Sequence, residues 1–172
     1  AWDFEGYWKD VGTISSLREA NMDLLGSEPK FNLYDKEWRI YSKSTGMPPH
    51  YAAEHAKAED SIITEGCYVD GEVRHSVLFS GVNVGTNAVI EDSVIMPNAV
   101  IGAGAVIKKA IIGEGAIIGE NAEVGCDKRP SDPDYETKLT GDITLISGSV
   151  AVESGARVPK GMVVTAGKRE RR

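Results

Sequence analysis

The stretch GYWKDVGT, residues 6 to 13, sets one carboxylate, Asp10, between two aromatics and a Gly-Thr turn. A carboxylate so placed can accept hydrogen bonds from turn amides. It can also supply one oxygen to Mg²⁺, which takes a carboxylate or two together with substrate phosphates. Other residue types that do chemistry are sparse. The three histidines, His50, His55 and His75, are scattered. Cys67 and Cys126 lie far apart with no CxxC or Cys/His spacing, which argues against both a zinc site and a disulfide framework. Reduced thiols fit a cytoplasmic location. Lys128, Arg129, Lys138 and Lys160 could reach a small anionic effector, although exposed Lys and Arg are ordinarily solvated. A formal charge of −7, with the only tight basic cluster at Lys168–Arg172, argues against nucleic acid as a partner. No stretch approaches the ~20 consecutive apolar residues of a membrane helix, so no membrane partner is expected.

The elements that would position Asp10 can be read on either side of it. Phe4, Gly6 and Trp8 alternate with polar residues, which predicts the end of a strand with Asp10 at its tip. Thr13 or Ser15 can then cap a helix whose Leu17, Ala20, Leu24 and Leu25 share a face and whose stop is Gly26. The carboxyl end of a strand, just before a helix, is where open α/β sheets place their ligands.

From residue 74 the chain repeats itself. RHSVLFSGVNVGTNAVI (74–90), EDSVIMPNAVIGAGAVI (91–107) and KKAIIGEGAIIGENAEV (108–124) align without gaps, each 17 residues long. Leu78, Ile95 and Ile112 form one column; Val84, Ile101 and Ile118 a second; Ile90, Ile107 and Val124 a third. Spacings of six, six and five residues fit neither a helix nor a sustained strand alternation. They predict a triangular coil whose successive turns pair as parallel strands and stack the three columns inside. Gly85, Gly102 and Gly119 are read as turn residues freed to adopt unusual backbone angles, and Ala88, Ala105 and Ala122 as tenants of crowded corners. No helical pattern separates the aliphatic runs, so Gly113-x-Gly115 is not a phosphate loop at a helix start.

The pattern extends back through 60–73, where Ser61-Ile62-Ile63 anticipates Ser76-Val77-Leu78 and Cys67 falls in the ladder as a small hydrophobe. Residues 127–142, charged and carrying Pro130 and Pro133, read as a loop thrown out of the coil; the hexads resume over 146–163. His75 shares a column with Asp92 and Lys109 and reads as an exposed corner.

GYWKDVGTISSLREANMDLL, FNLYDKEWRIYS, PPHYAA and the hexads, in that order, resemble the carboxyl-terminal part of the bacterial glucose-1-phosphate adenylyltransferase family over essentially the whole chain. The hexads themselves look like the left-handed parallel β-helix of hexapeptide-repeat proteins. The resemblance implies a mainly β fold, a left-handed β-helix over 46–172 with its loop excursion at 127–142. Residues 1–45 would be the carboxyl-terminal edge and linker of an α/β nucleotidyltransferase domain, a short strand-helix remnant. It implies that Asp10 lies in the active site and helps hold Mg²⁺, with Gly12 and Thr13 forming the turn that places it. ATP and glucose 1-phosphate would be the substrates, a homotetramer the assembly and a metabolite the regulator. No Gly-rich phosphate loop or sugar-phosphate lysine of that family occurs here, so the chain reads as a carboxyl-terminal fragment, inactive alone. The alternatives are a hexapeptide-repeat acyltransferase using a histidine base and a non-catalytic regulatory subunit of the same enzyme.

Overall fold

In the computed structural model, described for residues 2–37, 40–41, 45–132, 135, 137 and 139–165, one helix precedes eighteen short strands. The strands come in threes, one triplet to a coil. The first coil comprises β1 (Tyr51–Ala52), β2 (Lys57–Glu59) and β3 (Ile62–Ile63); the second β4 (Tyr68–Val69), β5 (Glu72–Arg74) and β6 (Val77–Leu78). The third comprises β7 (Asn83–Val84), β8 (Val89–Glu91) and β9 (Val94–Ile95); the fourth β10 (Val100–Ile101), β11 (Val106–Lys108) and β12 (Ala110–Ile112). The fifth comprises β13 (Ile117–Ile118), β14 (Glu123–Cys126) and β15 (Thr144–Ile146); the sixth β16 (Ala151–Val152), β17 (Arg157–Pro159) and β18 (Val163–Val164).

Every third strand pairs in parallel, which builds three six-stranded faces around one core. The first face runs β1-β4-β7-β10-β13-β16, the second β2-β5-β8-β11-β14-β17 and the third β3-β6-β9-β12-β15-β18. The predicted columns are the registers of these ladders. Val84 pairs with Ile101 and Ile101 with Ile118; Ile90 pairs with Ile107 and Ile107 with Val124; Leu78 pairs with Ile95 and Ile95 with Ile112. All nine side chains are buried in a single cluster. The shorter fifteen-residue step also holds, Ile62 pairing with Val77 and Ile63 with Leu78. Cys67 is buried, as expected of a small hydrophobe.

The corners follow a different logic from the one the glycines suggest. Gly102 carries no left-handed φ. A Cβ there would stand 2.6 Å from the Glu120 nitrogen and 2.8 Å from the Gly119 carbonyl carbon, so glycine is required by the approach of the next coil. Gly85 and Gly119 meet the next coil in the same way. Left-handed backbone falls elsewhere, at Gly104 (φ +68) and at Asp60, His75, Asp92 and Lys109.

A serine ladder runs up one corner. The hydroxyls of Ser61, Ser76 and Ser93 each accept the backbone N–H one coil on, from Ser76, Ser93 and Ala110 at 3.0–3.1 Å. Each donates in turn to a carbonyl two residues back, at 2.7 Å.

Helix α1 (Ile14–Met22) lies against the outside of the third face. Ile14, Leu17 and Met22 pack on Val94, Ile111 and Ile143, which they cover. Of the helix face expected from sequence, Leu17 joins this cluster and Leu25, beyond the helix end, is buried separately. The strand predicted around Phe4–Trp8 is not formed. Residues 2–12 have no partner strand to complete a ladder, and the Phe4 ring folds back over Gly6 instead.

Candidate functional site

Thr13 begins α1 with a reciprocal cap: its hydroxyl accepts the Ser16 N–H at 3.0 Å, and the Ser16 hydroxyl accepts the Thr13 N–H at 2.9 Å. Of the two caps expected, Thr13 is the one used. Gly12 precedes it, and a Cβ at Gly12 would stand 3.6 Å from both Asp10 carboxylate oxygens, so the acid folds back across the turn.

Asp23, at the far end of α1, fixes the approach to that turn. Its carboxylate accepts from the Tyr7 hydroxyl at 3.0 Å and from the Lys9 and Lys30 ammonium groups at 2.7 and 2.8 Å. Lys30 first, then Lys9, hold its pKa down at about 2. Tyr7 and Lys9 thus face the helix, whereas Trp8 and Asp10 are exposed. Sequence reading missed Asp23 because two of its three partners lie 14 and 16 positions upstream and the third seven downstream. One clue exists: a carboxylate at a helix carboxyl end opposes the macrodipole unless cations sit beside it.

Asp10 offers an oxygen of the kind Mg²⁺ prefers. Among the described residues, however, it has no hydrogen-bond or ion-pair partner, and no group of three His, Cys, Asp or Glu residues could hold a metal. The described residues therefore do not by themselves build a magnesium site.

His55 and His75 are each held beside a carboxylate, His50 is exposed just ahead of β1, and the structure does not bring the three together. His75 sits with its Nδ1 2.9 Å from the Asp92 carboxylate and its Nε2 3.9 Å from that of Asp60. His55 meets Asp70 at 3.1 Å through Nδ1, while Thr86 donates to the other Asp70 oxygen. Those bonds, Thr86 foremost, lower the Asp70 pKa. Of the basic residues considered for an effector, Lys160 pairs with Asp127 at 3.2 Å and Lys128 lies over the Tyr135 ring at 4.7 Å. The Arg129 backbone N–H donates to Asp132. Lys138, Pro133 and the Lys168–Arg172 cluster lie outside the described residues. A cleft of about 420 Å³ opens between the start of α1 and the loop, lined by Thr13, Arg18, Lys109, Thr140 and Asp142 among others. The thiols are free, and burial raises the pKa of both Cys67 and Cys126.

Three parallel faces closed around stacked aliphatic columns define a hexapeptide-repeat β-helix. A family model described as "GlmU-like, C-terminal hexapeptide" matches residues 48–146, and the chain belongs to that family. The match fits the left-handed form of the coil. Proteins named glucose-1-phosphate adenylyltransferase from Bacillus thuringiensis (strain Al Hakam), Bacillus cereus (strain ZK / E33L) and Bacillus anthracis are each 59% identical over 97 residues. That stretch is 56% of this chain and 26% of each relative, so the chain matches about a quarter of their length. The acetyltransferase domain of PglB from Neisseria gonorrhoeae FA1090 superposes with a TM-score of 0.50 at 24% identity, over 68% of this chain and 54% of that one, which is a likeness of fold. No helix among the described residues is long and apolar enough to cross a membrane.

Proposed function

We propose that this chain is the carboxyl-terminal part of a cytoplasmic enzyme that makes ADP-glucose and pyrophosphate from ATP and glucose 1-phosphate. The observation that carries the reading is the 59% identity to relatives bearing that enzyme's name. In the reaction, a phosphate oxygen of the sugar phosphate attacks the α-phosphorus of ATP, a P–O bond forms, and pyrophosphate leaves with the electrons of the bond that breaks. Catalysis of this kind rests on alignment and on charge screening. Mg²⁺, when bound, would supply that screening. Asp10 is proposed as one of its carboxylate ligands, together with groups from outside this chain. Tyr7 and Lys9, tied to Asp23, are proposed to keep Asp10 exposed beside the Gly12-Thr13 turn.

Residues 1–45 are proposed as the edge of the catalytic domain and 46–172 as the β-helix domain. Trp2, Phe4, Trp8, Tyr34, Ile40 and Tyr41 are all exposed, which supports a further surface that they would meet. The β-helix is proposed to serve assembly, as a homotetramer, and regulation by a small anionic metabolite. Alone, the chain should convert no ATP and glucose 1-phosphate above a buffer blank. Expressed with the coding sequence upstream of Ala1, it should produce ADP-glucose, and Asp10→Asn should lower kcat at least tenfold with the thermal melt unchanged. Turnover by the isolated chain, or an extended protein inert with both substrates, would overturn the reading.

A further inference from the structure

The turn that carries Asp10 is closed at both ends on one helix. Lys9, just before it, is held by Asp23 at 2.7 Å and by Glu19 at 3.4 Å, and Thr13, just after it, is the N-cap of α1. Only Asp10, Val11 and Gly12 lie between these anchors, so the direction of the turn follows that of α1. The helix in turn meets the coil in two ways. Ile14, Leu17 and Met22 make an apolar contact with the third face. Such a contact is non-directional, holding the helix down without fixing its angle. Arg18 makes the directional contact. Its guanidinium pairs with the Asp92 carboxylate while its Nε donates to the Asp92 carbonyl at 3.0 Å, and its side chain is only 11% exposed.

We infer that Arg18 is a positioning residue, through which the coil orients the turn that carries Asp10. Two bonds from one planar guanidinium to one residue fix an angle as well as a distance. The grip also lands on a firm part of the coil. The Asp92 N–H donates to the Arg74 carbonyl at 3.1 Å, its carboxylate lies 2.9 Å from His75 Nδ1, and its neighbour Ser93 is fully buried in the serine ladder. The other tether, from the Gly26 N–H to Asp60, lies past the helix end. A single bond to a residue outside the helix does not fix the rotation of α1 about its own axis, and Arg18 does.

The inference rests on the reading of Asp10 as part of a nucleotidyl-transfer site, and it gives the coil a duty besides assembly and regulation. Positioning errors are costly in such chemistry, since a displacement of about 1 Å can cost about a hundredfold in rate. A cation that merely stabilised the fold would leave the rate untouched at temperatures well below the melt.

Two measurements test it. In the 172-residue chain, amide residual dipolar couplings of α1 and of the buried ladders should fit a single alignment frame. In Arg18→Ala the α1 couplings should shrink or require a second frame while the ladder couplings stay. Asp92→Asn should act in the same direction, asparagine being tolerant of the left-handed backbone at that corner. In the protein extended upstream of Ala1, Arg18→Ala should lower kcat roughly tenfold or more, with KM for ATP and for glucose 1-phosphate within about twofold of the parent's and the ladder melt unchanged. The double variant should lose no more than Arg18→Ala does. Arg18→Lys, which keeps the charge but not the fork, should recover only part of the loss. Couplings that stay in one frame without Arg18, or a kcat equal to the parent's in an active extended protein, would overturn the inference. An extended parent that makes no ADP-glucose would overturn the enzyme reading instead, and the couplings would then decide the orienting role alone.

Discussion

Arg18 on α1 grips Asp92 twice: its guanidinium pairs with the carboxylate, and its Nε donates to the carbonyl of the same residue at 3.0 Å. Asp92 is a corner residue of the coil, held in left-handed backbone (φ +55) with its side chain turned outward. At the other end of the segment the Gly26 N–H donates to the Asp60 carboxylate at 2.7 Å, two coils away on the same corner. The segment is thus pinned at mid-helix and beyond its carboxyl end to one charged column, with its apolar face closed on the sheet.

Removing the Arg18 grip should free the helix and leave the coil standing. Arg18→Ala is expected to cost about 1.5–3 kcal/mol in local opening, the worth of a hydrogen bond to a charged group. Amide hydrogen exchange should accelerate over residues 14–25 and remain slow in the buried ladders. Uniform acceleration would contradict the pinning.

The turn that carries Asp10 should respond to acid through Asp23. A carboxylate held at about 2 contributes stability that is complete above the ordinary carboxylate range of about 4 and is lost as pH falls through about 2. The Tyr7 ring resonances and the amide resonances of Tyr7 and Lys9 should therefore shift in a step centred near that value. Asp23→Asn should already show the acid-form shifts at neutral pH.

Ile101 is about 1% exposed, ladder-paired on both sides. Ile101→Asp buries an unpaired carboxylate and should abolish the cooperative melt followed by circular dichroism. A melt equal to the parent's would contradict the inward column.

Two glycines should separate crowding from backbone preference. Gly102→Ala meets backbone at 2.6 Å and should cost about 1–3 kcal/mol by overpacking. Gly155→Ala meets nothing within 4 Å but keeps φ +70, and should cost about 1 kcal/mol. Chemical denaturation ranks the two, and equal losses would mean that crowding is not the reason for Gly102.

Ser93→Ala removes the acceptor of the buried Ala110 N–H and the donor to the Glu91 carbonyl, and should lower stability by about 1–3 kcal/mol. Ser93→Thr, which keeps the hydroxyl, should recover part of that loss.

The coil was legible because its information is repeated: one aliphatic per column recurs each 17 residues, and parallel stacking turns that period into register. What needed the third dimension was whatever joins different periods. Ser61, Ser76 and Ser93 share a column that a hydrophobicity reading passes over, since serine signals nothing until its hydroxyl is seen bridging coils. Gly102 looked like a turn residue because spacing cannot tell close approach from an unusual φ. His75 reads as an exposed corner and is one; what went unread was its pairing with Asp60 and Asp92, for which alternating charge down the column was the available sign. Around Asp10, alternation suggested a strand, but alternation forms a strand only where a neighbour offers a ladder, and none stands beside residues 2–12. The cap at Thr13 was readable since it is local; the Asp23 hub was not, because it closes a loop around the whole helix.

The ladder bonds, together with the serine hydroxyls, join each coil to the one beyond it. A load applied lengthwise would strain the rungs of each seam together, whereas a sideways pull on the last coil could open them singly. The molecule should therefore be stiff to stretching and weak to peeling, unravelling from its end one turn at a time, with a longer release at the turn that carries the loop.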